Sequence, residues 1–362
     1  MPDKQEQSLF FAGAGRQEKK FFTPSVLFAR PVLFFSSTLL IQVTLFCLVF
    51  NLSACVKNNG FSCPEEAQTW NRLVARGANQ GLTPYLFDTG MFHLSGLLRI
   101  PQNKSDAPGS PNAPAASEEL IIYLEGDGRI FDRQGKVRDH ATPDFAQACE
   151  LALQDPAPAL LYLARPGQFN FKNRGQMFQK YWTNARLAPE VVQSVNRAIE
   201  QVKLLTGAKK LQIIGYSGRG ALACLLAARR SDVSSLITVA ALLDTAWWTE
   251  KHLPAGLENS LNLSLNPIDG AAHFSDLPQI HMSGRRDRLV PPQMVGRLQQ
   301  AADFTNFRQL ILDNTHSHGW TEAWPDLLKR YLIPLRTSEK EYPVGNQLQT
   351  MPTSDLQQIP FH

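Results

Sequence analysis

Residues 211–220, with the sequence LQIIGYSGRG, constrain the fold of this chain more than any other segment. Aliphatic residues lead into Gly215 and then Ser217, and the following segment, ALACLLAA, is rich in helix formers. This pattern predicts a buried strand, a sharp turn and a buried helix, with Ser217 at the apex of the turn. Such a turn projects a serine hydroxyl clear of a sheet, as an activated nucleophile requires.

The residue two positions after the serine departs from the usual spacing of this kind of turn. Small residues are expected two before and two after the serine, because strand and helix nearly touch there. Gly215 satisfies the first position, whereas Arg219 occupies the second. Gly218 and Gly220 flank Arg219 and would let the turn open slightly. The alternative is an ordinary glycine-rich turn that holds phosphate, although the G-x-G-x-x-G spacing of a dinucleotide site is absent.

Short apolar segments alternate with helical segments over most of the chain. Predicted strands are 86–88, 91–100, 120–124, 159–163, 211–216, 235–243, 279–282 and 308–312, and predicted helices are 64–79, 143–153, 188–206, 221–228, 291–302 and 320–333. Continuous apolar strands of this kind indicate a mostly parallel central sheet with helices on both faces. Functional residues in such sheets gather at the carboxyl ends of the strands.

Strand ends after the serine supply a candidate acid and a candidate base. A serine hydroxyl is a weak nucleophile until a base accepts its proton and a third group orients that base. Asp287 is favoured as the acid; Asp244, which could instead cap a helix, is the alternate. His316 is favoured as the base, with His318 as its alternate, since both follow the last strand. The alternative for Asp287 is that it has no catalytic role and only forms a solvated ion pair with the neighbouring arginines.

Backbone donors are also needed, because the oxyanion of an acyl-transfer intermediate must be stabilised. The sequence predicts the N–H of Gly218 and one from the loop 126–128, assigned to Asp127. The alternative for that loop is a plain turn. No Cys/His cluster has the spacing of zinc ligands, so neither a metal nor a cofactor is expected.

The amino terminus has the features of a secretory signal. Residues 1–31 are polar and basic, residues 32–50 are uncharged and apolar, and the segment LSAC ends at Cys55. These last residues resemble a bacterial lipobox, which implies cleavage before Cys55, lipidation of Cys55 and a lipid-anchored protein of the cell envelope. Val56 in place of aspartate favours the outer membrane. The alternative is an uncleaved signal anchor, because the apolar segment could span a bilayer.

Composition limits the remaining choices. The chain has 362 residues, 43% hydrophobic and 19% charged, as in a globular protein, and a formal charge of +4. No basic run or interleaved aromatic stripe points to nucleic acid, so the expected partners are the membrane and a small-molecule or lipid acyl substrate. An oxidising compartment leaves a bridge between Cys63 and Cys149 open, whereas Cys224 is expected to be a buried thiol.

Four segments together resemble one protein family: GYSGRGALA at 215–223, TVAALLD at 238–244, GRRDRLVPP at 284–292 and WTEAW at 320–324. They look like an α/β-hydrolase family of bacterial secreted and lipid-anchored proteins, and the resemblance covers most of residues 119–334. It implies the α/β-hydrolase fold with Ser217, Asp287 and His316 in the triad positions. Members commonly carry a glycine where this chain has Arg219.

The sequence therefore predicts four regions and two competing functions. The regions are a signal peptide at 1–54, a segment of helix, strands and flexible loop at 55–118, a hydrolase core at 119–336 and a polar tail at 337–362. The first hypothesis is a membrane-anchored serine hydrolase of carboxylic esters, and a peptidase of similar fold is not separable from it. The second is a non-catalytic envelope lipoprotein that uses the hydrolase scaffold for binding, which Arg219 favours.

Overall fold

The computed structural model describes residues 65–101, 117–170, 173, 175–252, 261–337 and 347–350. The chain divides into two units, Met1–Ser62 and Cys63–His362, and all described residues belong to the second. The predicted signal peptide, Cys55 and Cys63 lie outside the described residues. Within the described segments, no helix combines the length and the apolar character needed to cross a bilayer.

Among the described residues, nine strands form one sheet in the order β1-β2-β4-β3-β5-β6-β7-β8-β9. The strands are β1 Thr83–Asp88, β2 His93–Arg99, β3 Glu119–Leu124, β4 Leu160–Leu163, β5 Lys210–Tyr216, β6 Val233–Val239, β7 Gln279–Gly284, β8 Phe307–Leu312 and β9 Gln347–Thr350. Strand β2 is antiparallel to both β1 and β4, and all other neighbours are parallel. The strand order reverses between β3 and β5, which is where open α/β sheets form their binding crevice.

The described helices cover the sheet and connect its strands. They are α1 Glu65–Ala78, α2 Gln147–Ala152, α3 Gln176–Gln179, α4 Pro189–Thr206, α5 Gly218–Ala227, α6 Thr245–His252, α7 Gln293–Gln299, α8 Trp320–Leu327 and α9 Ile333–Thr337. Short 3-10 turns occupy Lys180–Trp182 and Pro267–Phe274, and a π turn at Leu328–Leu332 joins α8 to α9.

Successive side chains of β3 alternate between two apolar cores. Leu120, Ile122 and Leu124 pack with side chains of α4 and α5, whereas Ile121 and Tyr123 pack with side chains of α2 and α8. Because both faces of the sheet are buried along its central strands, β3, β4 and β5 are largely apolar rather than alternating, whereas the edge strand β1 is mostly exposed. The mostly parallel sheet with helices on both faces is the architecture that the sequence predicts.

Two predicted segments end differently in the structure. The strand expected over 235–243 ends at Val239, and Ala240 adopts a positive φ of 47°. Residues 240–243 are apolar because they are buried near the serine turn: Leu242 donates its N–H to the carbonyl of Ser217 at 3.2 Å. The polar tail, predicted to be loose, contains β9, which pairs in parallel with β8. This pairing uses the unpaired backbone groups of an edge strand and does not require apolar side chains in β9.

The cysteines also differ in part from expectation. Cys149 is a free, fully buried thiol in α2, and burial raises its pKa well above the ordinary value, so the bridge to Cys63 considered from the sequence is not what the structure has. Cys224 is free and buried in α5, as predicted.

Candidate active site

The predicted turn around Ser217 connects β5 to α5. Ser217 has φ 54° and ψ −128°, a strained conformation for a residue with a side chain, and α5 begins at the next residue. A Cβ at Gly215 would lie 2.3 Å from the carbonyl oxygen of Arg219, so only glycine fits there. The turn therefore has the strand-serine-helix geometry of a nucleophile elbow.

Arg219 is accommodated because the tight approach on the helix side occurs one residue later. A Cβ at Gly220 would lie 2.2 Å from the Cβ of Ala241, where α5 crosses the loop after β6. The Arg219 side chain is 1% exposed, and its Nη1 donates to the carbonyl oxygen of Arg186 at 3.3 Å. The arginine thus keeps the turn intact and places a buried charge beside the serine.

Ser217, His316 and Asp287 form one hydrogen-bonded chain. The Oγ of Ser217 lies 3.0 Å from Nε2 of His316, and Nδ1 of His316 lies 2.8 Å from Oδ2 of Asp287. A carboxylate can only accept, so Nδ1 carries the hydrogen and Nε2 is left to accept from the serine hydroxyl. This is the geometry and the tautomer that a serine–histidine–aspartate relay needs.

Backbone donors hold Asp287 in place at the end of β7. Its Oδ1 accepts N–H groups from Leu289 at 2.9 Å and from Val290 at 2.8 Å, which leaves Oδ2 for His316. The Asp287 side chain is fully buried, so it is not part of a solvated ion pair. Each carboxylate oxygen has a defined partner, and the acid cannot rotate without losing one.

The histidine loop is fixed through its backbone. The carbonyl oxygen of His316 accepts the hydroxyl of Tyr216 and Nε1 of Trp320, both at 3.0 Å. His318, the alternate from the sequence, is exposed, and its ring nitrogen contacts Thr315 and Ser317 instead of Ser217.

Asp244, the alternate acid, has a different place. Its Oδ1 accepts the N–H of Trp247 at 3.1 Å at the start of α6, and its Oδ2 accepts from Nε of Arg297 at 2.7 Å. It is therefore the helix cap considered from the sequence. Neither oxygen contacts His316.

Gly218 and Asp127, the two residues predicted to donate to the oxyanion, lie close together. Gly218 is the first residue of α5, so its N–H has no partner within the helix. A Cβ at Gly218 would lie 2.3 Å from Oδ2 of Asp127, which shows how closely the loop after β3 covers the turn. The same loop passes over the residue before the serine, because a Cβ at Gly126 would lie 2.9 Å from the ring of Tyr216.

Three arginines surround Asp127. Arg186 donates from Nη1 to its Oδ2 at 2.6 Å, and Arg165 donates to its Oδ1 and, at 3.1 Å, to its carbonyl oxygen. Burial raises the pKa of Asp127, but the charges of Arg186, Arg165 and Arg219 outweigh burial and lower that pKa to about 2. Asp127 is thus ionised, and its loop is clamped by two charge-assisted contacts.

Glu125 anchors the start of the same loop. Its carboxyl is 1% exposed and accepts the N–H groups of Gly126, Ala148 and Cys149 and the hydroxyl of Tyr162. Burial raises its pKa to about 7, although these four donors favour the charged form. Glu125 has no arginine partner in these contacts, in contrast to Asp127.

A cavity of about 690 Å³ opens over Ser217. Its wall includes Gly218, Asp127, Arg186 and His316. Apolar side chains form its rim, and three of them are half exposed: Phe131, Phe145 and Leu289. A polar catalytic floor below an apolar rim suits a substrate with both a reactive polar group and an apolar part.

Several residues of the site have little or no signal in the sequence. Glu125 and Arg165 follow β3 and β4, so their place at strand ends could have marked them. Arg186 lies in an irregular connection between α3 and α4, and no pattern in the sequence identifies it. Within the described residues, no group of three or more His, Cys, Asp and Glu side chains is arranged to hold a metal ion.

Solved structures share this architecture at low sequence identity. Est1E from Butyrivibrio proteoclasticus matches with a TM-score of 0.50 and 13% identity over 70% of this chain and 99% of that one. An acylaminoacyl peptidase from Pyrococcus horikoshii matches with 0.50 and 15% over 72% of this chain and 43% of that one. A puromycin hydrolase matches with 0.50 and 11% over 68% and 38%. This chain therefore spans less than half of the last two proteins.

These likenesses show that the chain has the α/β-hydrolase fold. No protein-family profile matches the chain, and no curated protein sequence matches it.

Proposed function

We propose that this protein is a serine hydrolase that cleaves carboxylic esters, with Ser217 as nucleophile, His316 as general base and Asp287 as the group that orients the imidazole. One observation carries the proposal: a serine on a strained elbow lies 3.0 Å from a histidine whose other nitrogen is held by a buried carboxylate. An ordinary phosphate-binding turn has no use for that relay.

The geometry supports a two-step reaction. Ser217 Oγ attacks the carbonyl carbon of the ester while its proton passes to Nε2 of His316, and the N–H groups of Gly218 and Asp127 are the proposed donors to the oxyanion. The imidazolium then protonates the departing alcohol, which leaves an acyl group on Ser217. A water molecule, deprotonated by His316, attacks this acyl-enzyme and releases the carboxylic acid and the free serine.

The apolar rim supports an acyl substrate. Phe131, Phe145 and Leu289 are 52%, 56% and 45% exposed around the mouth of the cavity, where they can cover an acyl chain. A small-molecule ester and a lipid ester both fit this description. Esters are favoured over peptide bonds, because the rim offers apolar surface to an acyl chain.

The amino-terminal sequence supports a proposal for where the protein acts. Its basic start, apolar segment and LSAC ending support cleavage before Cys55 and anchoring of the lipidated cysteine in the bacterial cell envelope, with the outer membrane favoured. Cys55→Ser should move the protein from the membrane pellet to the soluble fraction or leave the uncleaved precursor. A variant that is cleaved and stays lipid-anchored contradicts the assignment.

Labelling with a fluorophosphonate tests the nucleophile directly. The full chain should be labelled at Ser217, and Ser217→Ala should abolish the labelling. Ser317→Ala is the matched control, because Ser317 lines the same cavity and its Oγ contacts His318. An unlabelled, well-folded wild type would reject the hydrolase.

A non-catalytic binding protein is the second candidate, and the observation in its favour is Arg219 next to the elbow. The structure directs this side chain toward the carbonyl of Arg186, and Ser217 keeps its contact with His316. Failure of the labelling together with binding of an acyl ligand in the cavity would favour this candidate.

A further inference from the structure

Positive charge exceeds negative charge in the cluster of Arg165, Arg186, Arg219 and Asp127, called here the arginine cluster. Asp127 is the one carboxylate among the described residues whose charge acts on both Arg165 and Arg219. Nε of Arg165, Nε of Arg186, and Nε and Nη2 of Arg219 are buried without a partner in the described part of the chain. Buried guanidinium N–H groups without acceptors are costly, so this cluster is suited to a further anion.

Arg186 connects the cluster to the cavity. It lines the cavity wall together with Ser217 and Gly218, and its side chain is 12% exposed. The centroid of the Trp248 ring lies 5.9 Å from its guanidinium carbon, within the range of a cation–π contact. A ligand that reaches Ser217 therefore passes within reach of one arginine, with two more positive charges behind it.

Arg186 is not needed to neutralise Asp127. Arg165 has a fully buried side chain and already contacts both the carboxylate and the carbonyl oxygen of Asp127. The contact of Arg186 with Oδ2 is a second one to the same carboxylate. One positive charge would suffice to hold the loop, so the additional charge has another use.

We propose that Arg186, backed by Arg165 and Arg219, forms a subsite for an anionic group of the substrate, a carboxylate or a phosphate, beside the reacting ester. The inference rests on the proposed function and narrows its substrate class to esters with a negative charge near the scissile carbonyl. A guanidinium fork binds either anion through paired N–H donors, and the partly desolvated site strengthens that contact.

Matched pairs of neutral and anionic esters test the subsite and locate the charge. Para-nitrophenyl butyrate and the para-nitrophenyl monoester of succinic acid differ by a terminal methyl against a carboxylate on the acyl side. Butyrylglycerol and its phosphate differ on the alcohol side. The measured quantity is the ratio of kcat/KM for the anionic ester to kcat/KM for its neutral partner, so a general loss of activity cancels.

Arg186→Gln should lower this ratio about ten- to hundredfold for at least one pair, as expected for a lost charged hydrogen bond. Arg186→Lys, which keeps the charge, should retain most of the preference. Arg129→Gln is the matched control, because Arg129 lines the same cavity but is paired with Asp144. It should leave the ratio within about twofold, since an exposed ion pair contributes little.

The acyl-side pair and the alcohol-side pair separate the two anions. A loss confined to the succinate pair assigns the subsite to a carboxylate on the acid, and a loss confined to the glycerol pair assigns it to a phosphate on the alcohol. Equal losses for neutral and anionic esters would show that Arg186 only holds the Asp127 loop, and would overturn the proposal. An equal change in Arg129→Gln would also overturn it.

Failure of the hydrolase itself gives a different result. If no ester is cleaved and no fluorophosphonate reacts, calorimetric titration of wild type and Arg186→Gln with succinate and with inorganic phosphate decides the subsite alone. Binding by the wild type that weakens at least tenfold in the variant supports the anion site. Absence of binding by the wild type overturns it.

Discussion

Two sides of one cavity meet at Ser217, and they handle polar groups in opposite ways. On one side, each nitrogen of His316 and each oxygen of Asp287 has a partner at hydrogen-bonding distance. On the other side, guanidinium N–H groups of Arg165, Arg186 and Arg219 outnumber the acceptors that the described residues offer. On the first side the chain itself supplies every hydrogen-bond partner. On the second side the unpaired N–H donors need an acceptor from a ligand.

The difference separates chemistry from recognition. A relay of matched donors and acceptors can activate a serine before any ligand arrives, because its geometry is preorganised. A cluster with spare donors gains free energy when an anion enters, so it discriminates between ligands. The two sides should therefore respond differently to substitution. A substitution in the relay should lower the rate of hydrolysis for every ester, whereas one in the arginine cluster should change the ratio of kcat/KM between anionic and neutral esters.

His316 offers the largest test of the relay side. His316→Ala should lower ester hydrolysis by about five to six orders of magnitude, because serine and histidine act as a unit. His318→Ala is the control and should leave the rate within about threefold, since His318 does not contact Ser217. Steady-state kinetics of both variants on para-nitrophenyl butyrate provide the measurement. A large loss in His318→Ala with His316→Ala nearly unaffected would assign the base to His318 instead.

The two candidate acids give the next largest effect. Asp287→Asn should lower kcat by about four orders of magnitude, because an amide at this position favours the wrong tautomer of His316. Asp244→Asn weakens a helix cap and an ion pair, and should cost about 1 kcal/mol of stability with kcat nearly unchanged. The measurements are kcat and urea unfolding for each variant. The reverse pattern would assign the acid to Asp244.

Glu125 and Asp127 are both largely buried carboxyls, but the pKa of Glu125 is raised and that of Asp127 is lowered. The folded-state pKa of Glu125, about 7, exceeds the ordinary value of 4.5, so its protonated form stabilises the fold fully below pH 4.5, and this contribution is lost as the pH rises through 7. Across that window it amounts to about 3 kcal/mol.

Glu125→Gln removes the titrating carboxyl from both the folded and the unfolded protein. The free energy of unfolding of the wild type, measured in urea at several pH values, should therefore fall more steeply between pH 5 and pH 8 than that of the variant, by about 3 kcal/mol at most. Parallel curves would show that Glu125 is ionised in the folded state throughout this range, as Asp127 is.

Gly220 gives the smallest effect and tests the elbow between the two sides. Gly220→Ala places a methyl group 2.2 Å from the Cβ of Ala241 and should destabilise the fold by about 1 to 3 kcal/mol. Gly296→Ala is the matched control, because no atom lies within 4 Å of its added Cβ in α7, and it should stabilise by about 0.5 to 1 kcal/mol. Thermal unfolding of both variants measures the difference. An unaffected Gly220→Ala would show that the elbow can open.

Local signals predicted one side of the cavity better than the other. Ser217, Asp287 and His316 each follow a strand of a parallel sheet, so chain order alone predicted that they would lie close together, and the structure brings them together. The choice between Asp287 and Asp244 stayed open, because it depends on which carboxylate the backbone of Leu289 and Val290 holds. That is a tertiary contact without a local signal.

The arginine cluster lay beyond sequence reasoning for a related reason. Arg219 was recognised only as an irregular residue in a motif, since its meaning depends on Arg186, which is distant in the chain and lies in an irregular connection. The apolar residues after β6 predict a longer strand than the structure has, because burial against the elbow and burial in a sheet select the same residue types. In both cases packing between segments decided the outcome.

Tyr216 has a consequence for how the cavity accommodates ligands. Its ring lies beneath Gly126 of the loop after β3, its hydroxyl holds the carbonyl of His316, and its backbone leads directly into Ser217. One side chain thus contacts both sides, so we expect a movement of one side to be transmitted to the other. The cavity should therefore change little when a ligand binds, and it should select esters by their fit to its existing shape.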